Sequence, residues 1–362
     1  MRRKPKRTSL PRILLRHWGC TLLLSASLLY LVARLLDGWD HWGFVFVEYA
    51  GPVLFFLAAL CLLGAAIGRN RTVVIMGLIA MLIWWHSVRG LVGVHWPGDG
   101  DDPTGAIRVL SYNVMGFGRF GPSPIARMRI LDQILKSPND IVCLQEFVTG
   151  MGPGKYFTRQ ELVSHLHWHG FNAYIPKDSY PALLSRFSII NTGEVYIPHY
   201  TSSSNGIIYA DLDTPQGRLR VYSVHVGTIN PIREARRRLK QTRQGTMIGA
   251  EVHMARAKRD QAVFLLESLR RSPYPTVVCG DFNDPPFGFV YQKLRQRLHN
   301  AFEEKGWGIG GTLNKRPSMR LLRIDNIFVS PDIEVEGFQT LHEVEDSDHF
   351  PIRAVVRLPQ RH

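Results

Sequence analysis

TVVCGDFND, residues 276–284, is a short apolar run that stops abruptly in a glycine, two aspartates and an asparagine. A run of this kind reads as a strand buried on both faces, with its polar residues at the strand end. Asp281 and Asn283 are two positions apart, which puts both side chains on one face of an extended backbone. Related punctuation recurs along the chain. SYNVMGF places Asn113, VCLQEF places Glu146, YSVHVG places His225, LRIDNIFVS places Asp325, and DSDHFPI places Asp348 and His349. Hard oxygen donors with two imidazoles are the equipment for hydrolysing a phosphate ester with Mg²⁺.

Around these motifs the chain alternates short apolar runs with amphipathic segments. Strands are expected at IRVLSYNV, DIVCLQEF, ALLSRFSII, GIIYADLD, RLRVYSVHV, TVVCGDF, IDNIFVS and IRAVVRL. Helices are expected over 125–136, 159–167, 255–271 and 289–298. Many strands with interleaved helices, and a hairpin-like turn in DLDTPQGRLRV, predict an α/β sandwich with mixed sheets.

In this order the motifs resemble the endonuclease/exonuclease/phosphatase superfamily, the DNase I-like fold, over roughly residues 105–358. The segments GDFNDPPFGFVYQKL, LHNAFEEKGWGIGGT and LRIDNIFVS are similar to bacterial membrane-anchored members. The resemblance implies a four-layer sandwich of two packed β-sheets flanked by helices, with the active site at one edge. It implies that Glu146 is the main ligand of Mg²⁺, or of Mn²⁺ in its place, with Asn113 beside it and Asp348 in the metal region. It also implies that Asp281 orients and deprotonates the attacking water while Asn283 helps hold it. His225 and His349 would bond the non-bridging oxygens, and Asp325 would fix the tautomer of His349.

The N-terminal quarter has a different composition. Apolar stretches run from about 18 to 36, 44 to 67 and 72 to 88, all within the range of about 17–25 residues that spans a bilayer. Seven Lys/Arg precede the first, the loop 37–42 has none, and the loop 68–71 carries Arg69 and Arg71. The positive-inside rule then predicts a multi-pass protein of the cytoplasmic membrane, with a cytoplasmic N-terminus and the catalytic domain on the outer or periplasmic side. A cleaved signal peptide fits poorly with two further apolar stretches directly behind it. Two crossings would instead leave that domain in the cytoplasm. The organisation expected is an anchor over 1–97, a polar linker over 98–104 and a catalytic domain over 105–362.

The net charge of +14 divides evenly, since residues 1–99 hold 11 Lys/Arg and 4 Asp/Glu and the rest hold 33 and 26. A basic soluble domain suits an anionic substrate. Arg233 to Arg259 is a basic segment that fits a phosphate backbone, lipid headgroups or a solvated helix face alike. Arg186, in LLSRFSI, is a candidate contact to the substrate phosphate. Cys143 and Cys279 sit in strand-like runs as small buried hydrophobes, and no CxxC pattern or disulfide framework appears. The expected activity is that of a nuclease-type phosphodiesterase. The alternative is a phosphoesterase of lipid headgroups or inositol phosphates, and a non-catalytic membrane scaffold ranks below both. The partners implied are a phosphodiester and the lipid bilayer, and no protein partner is inferable.

Overall fold

The computed structural model describes residues 18–35, 43–67, 70–95, 105–118, 124–147, 159–176, 181–197, 206–227, 247–344 and 346–359. They form two compact units, one ending at Leu91 and one beginning at Val92. The basic N-terminus, the loop 37–42, the linker 98–104 and the stretch 228–246 lie outside the described residues.

The first unit holds α1 (Trp18–Leu35), α2 (Phe44–Ile67) and α3 (Arg71–Val88), each long and apolar enough to cross a membrane. Large apolar side chains such as Leu22, Phe56 and Leu82 point outward, while the interior mixes Trp84, Tyr30 and Met76 with small and polar residues. Glu48 is fully buried, accepts from the Tyr30 hydroxyl at 2.6 Å and lies 3.1 Å from His86 Nε2. Trp84 Nε1 donates to Ser27 Oγ at 2.9 Å, and the rings of Tyr30 and Trp84 stack at 4.4 Å. Polar groups among apolar helices are held by pairing with one another, and here the pairs tie all three helices together.

The second unit contains β1 (Gly93–Val94), β2 (Ile107–Asn113), α4 (Met115–Gly118), α5 (Pro124–Lys136), β3 (Ile141–Gln145), α6 (Arg159–Trp168), β4 (Asn172–Tyr174), β5 (Ala182–Ser185) and β6 (Ser188–Glu194). It continues with β7 (Gly206–Thr214), β8 (Gly217–His225), α7 (Met247–Arg270), β9 (Thr276–Asp281), α8 (Phe289–Leu294), β10 (His299–Asn300) and α9 (Ala301–Lys305). The last elements are β11 (Trp307–Gly308), β12 (Asp325–Val329), β13 (Glu334–Thr340) and β14 (Ile352–Arg357).

Among the described residues there are two six-stranded mixed sheets, ordered β13-β14-β2-β3-β5-β4 and β10-β12-β9-β8-β7-β6. Each has one parallel pair near its middle, β2 with β3 and β8 with β9, and antiparallel neighbours elsewhere. The expected DLDTPQGRLRV hairpin is β7–β8, closed at Thr214 and Gly217.

Alternation sorts each strand between two faces. Ile107, Val109, Ile141, Cys143, Val221, Val277, Cys279 and Ile327 form the core between the sheets. Leu110, Tyr112, Val142 and Leu144 pack on the other face against Ile130 and Ile134 of α5 and Leu162 and Leu166 of α6. Each such aliphatic side chain contributes about 1.5–3 kcal/mol when fully buried.

Candidate active site

The alternation that builds the core between the sheets also builds the site. Following the inward-facing positions along each strand, apolar residues give way to polar ones at one rim. Val109 leads to Ser111 and Asn113, Cys143 to Gln145, Val221 to Ser223 and His225, and Cys279 to Asp281. β12 runs the opposite way and starts at the rim with Asp325. Register therefore lines up His225, Asp281 and Asp325 on adjacent strands, while Asn113 faces Gln145 across the other sheet. Below the rim, Ser111 Oγ donates to Gln145 Oε1 and Gln145 Nε2 donates to Ser223 Oγ, a buried polar bridge between the sheets.

Asp281 is the centre of the rim. Its Oδ2 accepts from Asn113 Nδ2 at 2.9 Å and lies 3.6 Å from His225 Nε2 and 3.7 Å from His349 Nε2. The same Asn113 amide donates to Glu146 Oε1 at 3.3 Å, so one amide joins the two carboxylates and the two sheets. His349 Nδ1 is 2.9 Å from Asp325 Oδ2. Burial opposes a charge on His349, but the Asp325 and Asp281 carboxylates outweigh it and push the imidazole up to about 10. Burial raises Asp325.

The backbone is bent where the site needs it. The non-glycine residues with positive φ among the described residues are Met115 (47°), Glu146 (53°) and Asn283 (47°), and all three are at this rim. Such conformations are uncommon outside glycine and concentrate at functional sites. Two of them are tied down locally: Met115 N donates to Asn113 Oδ1 at 3.0 Å, and Asn283 N donates to Asp281 Oδ1 at 2.8 Å. Gly280 is required by close approach, because a Cβ there would lie 1.9 Å from the Val224 carbonyl oxygen.

The donor set fits a divalent cation. The Glu146 side chain is 35 % exposed at the rim, and the Asn113 amide links its Oε1 to Asp281 Oδ2, carboxylate oxygens being the hard ligands such ions take. Asp281, Asp325 and His349 also bring one potential ligand atom each within 4.8 Å of one another. In that group Asp325 Oδ2 and His349 Nδ1 are engaged with each other, while Asp325 Oδ1 is buried without a hydrogen-bond partner. Asp348, expected in the metal region, has its Oδ1 4.0 Å from His349 Nε2.

Residues 110–349, more than half of the 362-residue chain, match the Endonuclease/Exonuclease/phosphatase family. The chain belongs to that family. Its members are phosphoester-hydrolysing enzymes. Nocturnin of Rattus norvegicus is 26% identical over 234 residues, covering 54% of this chain and 48% of its own length, and human nocturnin is 24% identical over the same shares. The chain thus spans about half the length of these curated relatives. Among solved structures, a family protein from Beutenbergia cavernae superposes with a TM-score of 0.52 at 17% identity, covering 70% of this chain and 72% of that one. One from Bacteroides vulgatus also gives 0.52 at 17% identity, covering 70% and 99%. The two-sheet architecture is the fold these structures share with the chain.

Within the family framework, Asn113, Glu146, His225, Asp281, Asn283, Asp325, Asp348 and His349 come together as the sequence grouped them. Arg186 does not join them. It follows β5, whose register pairs Ser185 with Ile141 at the start of β3, whereas Glu146 follows the end of β3. Its guanidinium donates to the carbonyls of Asn139 (2.9 Å) and His169 (3.2 Å) and lies 4.3 Å from the Phe171 ring centroid. Arg186 fastens the opposite end of the sheet, and an expected phosphate contact becomes a structural one.

Other residues act on the site without having been singled out for it. Lys258, read only as part of a basic segment, is buried and donates to the Asn283 carbonyl at 2.7 Å and to Asp284 Oδ1 at 2.9 Å. Asp284 in turn accepts from Val290 N at 2.7 Å at the start of α8. Gln261, one turn further along α7, accepts from Gly227 N at 3.0 Å. Helix α7 therefore grips both loops that follow His225 and Asp281. Ser347, inside the DSDHFPI motif, donates to the Asn113 carbonyl at 2.7 Å and joins the His349 loop to β2.

Proposed function

We propose that the second unit hydrolyses phosphodiesters with a divalent cation, and that water attacks phosphorus in line under the control of Asp281. The observation that carries this reading is the position of Asp281. It is buried at the rim centre, joined to Glu146 through the Asn113 amide, and flanked by His225 and His349 at 3.6 and 3.7 Å. In this mechanism Asp281 orients the water and takes its proton, and Asn283 helps hold that water. The two imidazoles lie on either side of the carboxylate, where their N–H groups meet the non-bridging oxygens as charge grows. Asp325 keeps the proton of His349 Nδ1 in place, so that Nε2 faces the substrate. Mg²⁺, or Mn²⁺ as a substitute, would be held by Glu146 with Asn113 and Asp348 alongside, and when bound supplies charge neutralisation at the leaving oxygen.

The three apolar helices support an anchor in the cytoplasmic membrane. An odd number of crossings from a basic N-terminus supports a catalytic unit on the outer or periplasmic side. Phosphatase-type and fluorescent-protein reporters fused downstream of residue 100 test the side, since the first requires export and the second requires cytoplasmic folding.

The activity is tested on the full chain with plasmid DNA, single-stranded RNA, sphingomyelin and inositol phosphates. The expected result is hydrolysis of one class that stops on chelation and returns with Mg²⁺ or Mn²⁺. Asp281→Ala and His349→Ala are expected to reduce it by roughly a thousandfold. Activity that survives chelation and both substitutions would defeat the reading.

A further inference from the structure

β1 and β11 pair as a short antiparallel ladder within the second unit, with Val94 directly opposite Trp307. Cross-strand partners project from the same face. Both are exposed, Val94 to 75 % and Trp307 to 50 %. The apolar surface continues through Ile309 to Leu321, 61 % exposed, and Leu322. These last two fold back beside Gly311, because Thr312 N donates to the Leu322 carbonyl at 2.9 Å. A Cβ on Gly311 would in turn lie 1.7 Å from the Arg320 carbonyl oxygen. Between Lys305 and Ile324 the sequence has no Asp or Glu, while Lys305, Lys315, Arg316 and Arg320 are exposed.

Contiguous exposed apolar surface marks sites of protein or membrane contact. Tryptophan and branched aliphatics rimmed by Lys and Arg suit the boundary between acyl chains and anionic headgroups. Sequence position points the same way, since Val94 comes six residues after Val88, the last residue of an apolar helix long enough to span. Six residues reach at most about 20 Å. We propose that the Val94–Trp307–Leu321 face docks on the anionic lipid surface of the membrane that the apolar helices enter.

The docking segment is bolted to the site. Thr312 Oγ1 accepts from Asp325 N at 3.1 Å, Asn314 N donates to the Asp348 carbonyl at 2.7 Å, and Leu313 bridges His349. On the phosphodiesterase reading above, docking brings the Asp325–His349 side of the rim to the headgroup layer. That favours phosphodiesters carried by lipids over those of free nucleic acid.

The test places the full chain in nanodiscs of phosphatidylcholine alone or mixed with phosphatidylglycerol and follows amide hydrogen exchange over 305–322. Exchange is expected to slow by roughly tenfold in the anionic discs. The double substitutions Trp307→Ser with Leu321→Ser, and Lys315→Glu with Arg316→Glu, are expected to abolish the slowing. Equal exchange in both discs, unchanged by the substitutions, overturns the docking. So does slowing that appears only when two chains share a disc, since a second copy then covers the face. Hydrolysis of soluble bis(p-nitrophenyl) phosphate in the same samples is expected to be unchanged by either double substitution. If the segment is protected but no phosphodiester is cleaved, the docking stands and the phosphodiesterase reading fails.

Discussion

Asp281 and Asp325 are register partners on antiparallel strands, two buried carboxylates at one level of the rim. Like charges so placed favour a cation beside them, and His349 supplies it, with Nδ1 2.9 Å from Asp325 and Nε2 3.7 Å from Asp281. Asp325→Asn keeps the shape but removes the charge that holds this imidazolium. The expected outcome is a fall in kcat of about a hundredfold to ten-thousandfold with KM little changed. Steady-state kinetics on the purified variant check it. Equal kcat in the two proteins would show that His349 needs no such partner.

Lys258 is a positioning residue, since it holds the backbone of Asn283 in a left-handed conformation while neutralising Asp284. Lys258→Met leaves Asp284 buried without that cation, a change worth about 3–5 kcal/mol of stability. Below its melting temperature the variant is expected to lose kcat more than substrate affinity. Lys258→Arg, which keeps the charge, is expected to recover part of the stability. Denaturant unfolding and a kcat-against-KM comparison separate the two effects.

Arg186→Ala makes the opposite prediction. The side chain binds two carbonyls and a ring at the far end of the sheet, so its loss is expected to cost about 1 kcal/mol of stability. Values of kcat and KM are expected to match the unaltered enzyme. A selective rise in KM would return Arg186 to the substrate.

These contrasts show what the sequence carries. The motifs that end β2, β3, β8 and β9 were legible because the inward-facing positions change from apolar to polar where each strand meets the rim, and that change is local. Asn113, His225 and Asp281 could thus be picked out from their own strands. Arg186 sits in a similar run, after the apolar residues of β5, but β5 runs antiparallel to β3 and its end lies at the wrong rim. Strand direction is a property of the assembled sheet, so the motif alone did not reveal it. Lys258 was obscured for a related reason. Its neighbours Arg256 and Arg259 gave the stretch a basic character, and only the packing of α7 against the Asp281 loop distinguishes a buried lysine from a solvated one. The start of α7 at Met247, eight residues ahead of the expected 255, lies before the amphipathic pattern becomes readable.

Asp211 and Arg220 give a prediction about pH that is independent of the catalytic rim. They are cross-strand partners on β7 and β8, joined by two hydrogen bonds of 2.6 and 2.8 Å, and both are buried. Burial tends to raise the Asp211 carboxyl, but the hydrogen bonds from Arg220 and Asn191 prevail and hold it below the usual carboxylate range. A carboxylate depressed in the folded state stabilises the fold above its unfolded pKa of about 3.9, and that contribution is lost as pH falls through the folded value. At neutral pH, Asp211→Asn strands a buried guanidinium and is expected to cost about 3 kcal/mol. Below about pH 3.9 that contribution shrinks, so the gap between the unaltered protein and the variant should narrow. Urea unfolding of both proteins at about pH 7 and about pH 3 measures that gap. A difference that stays constant across this range would mean that shape, and not charge, holds the pair.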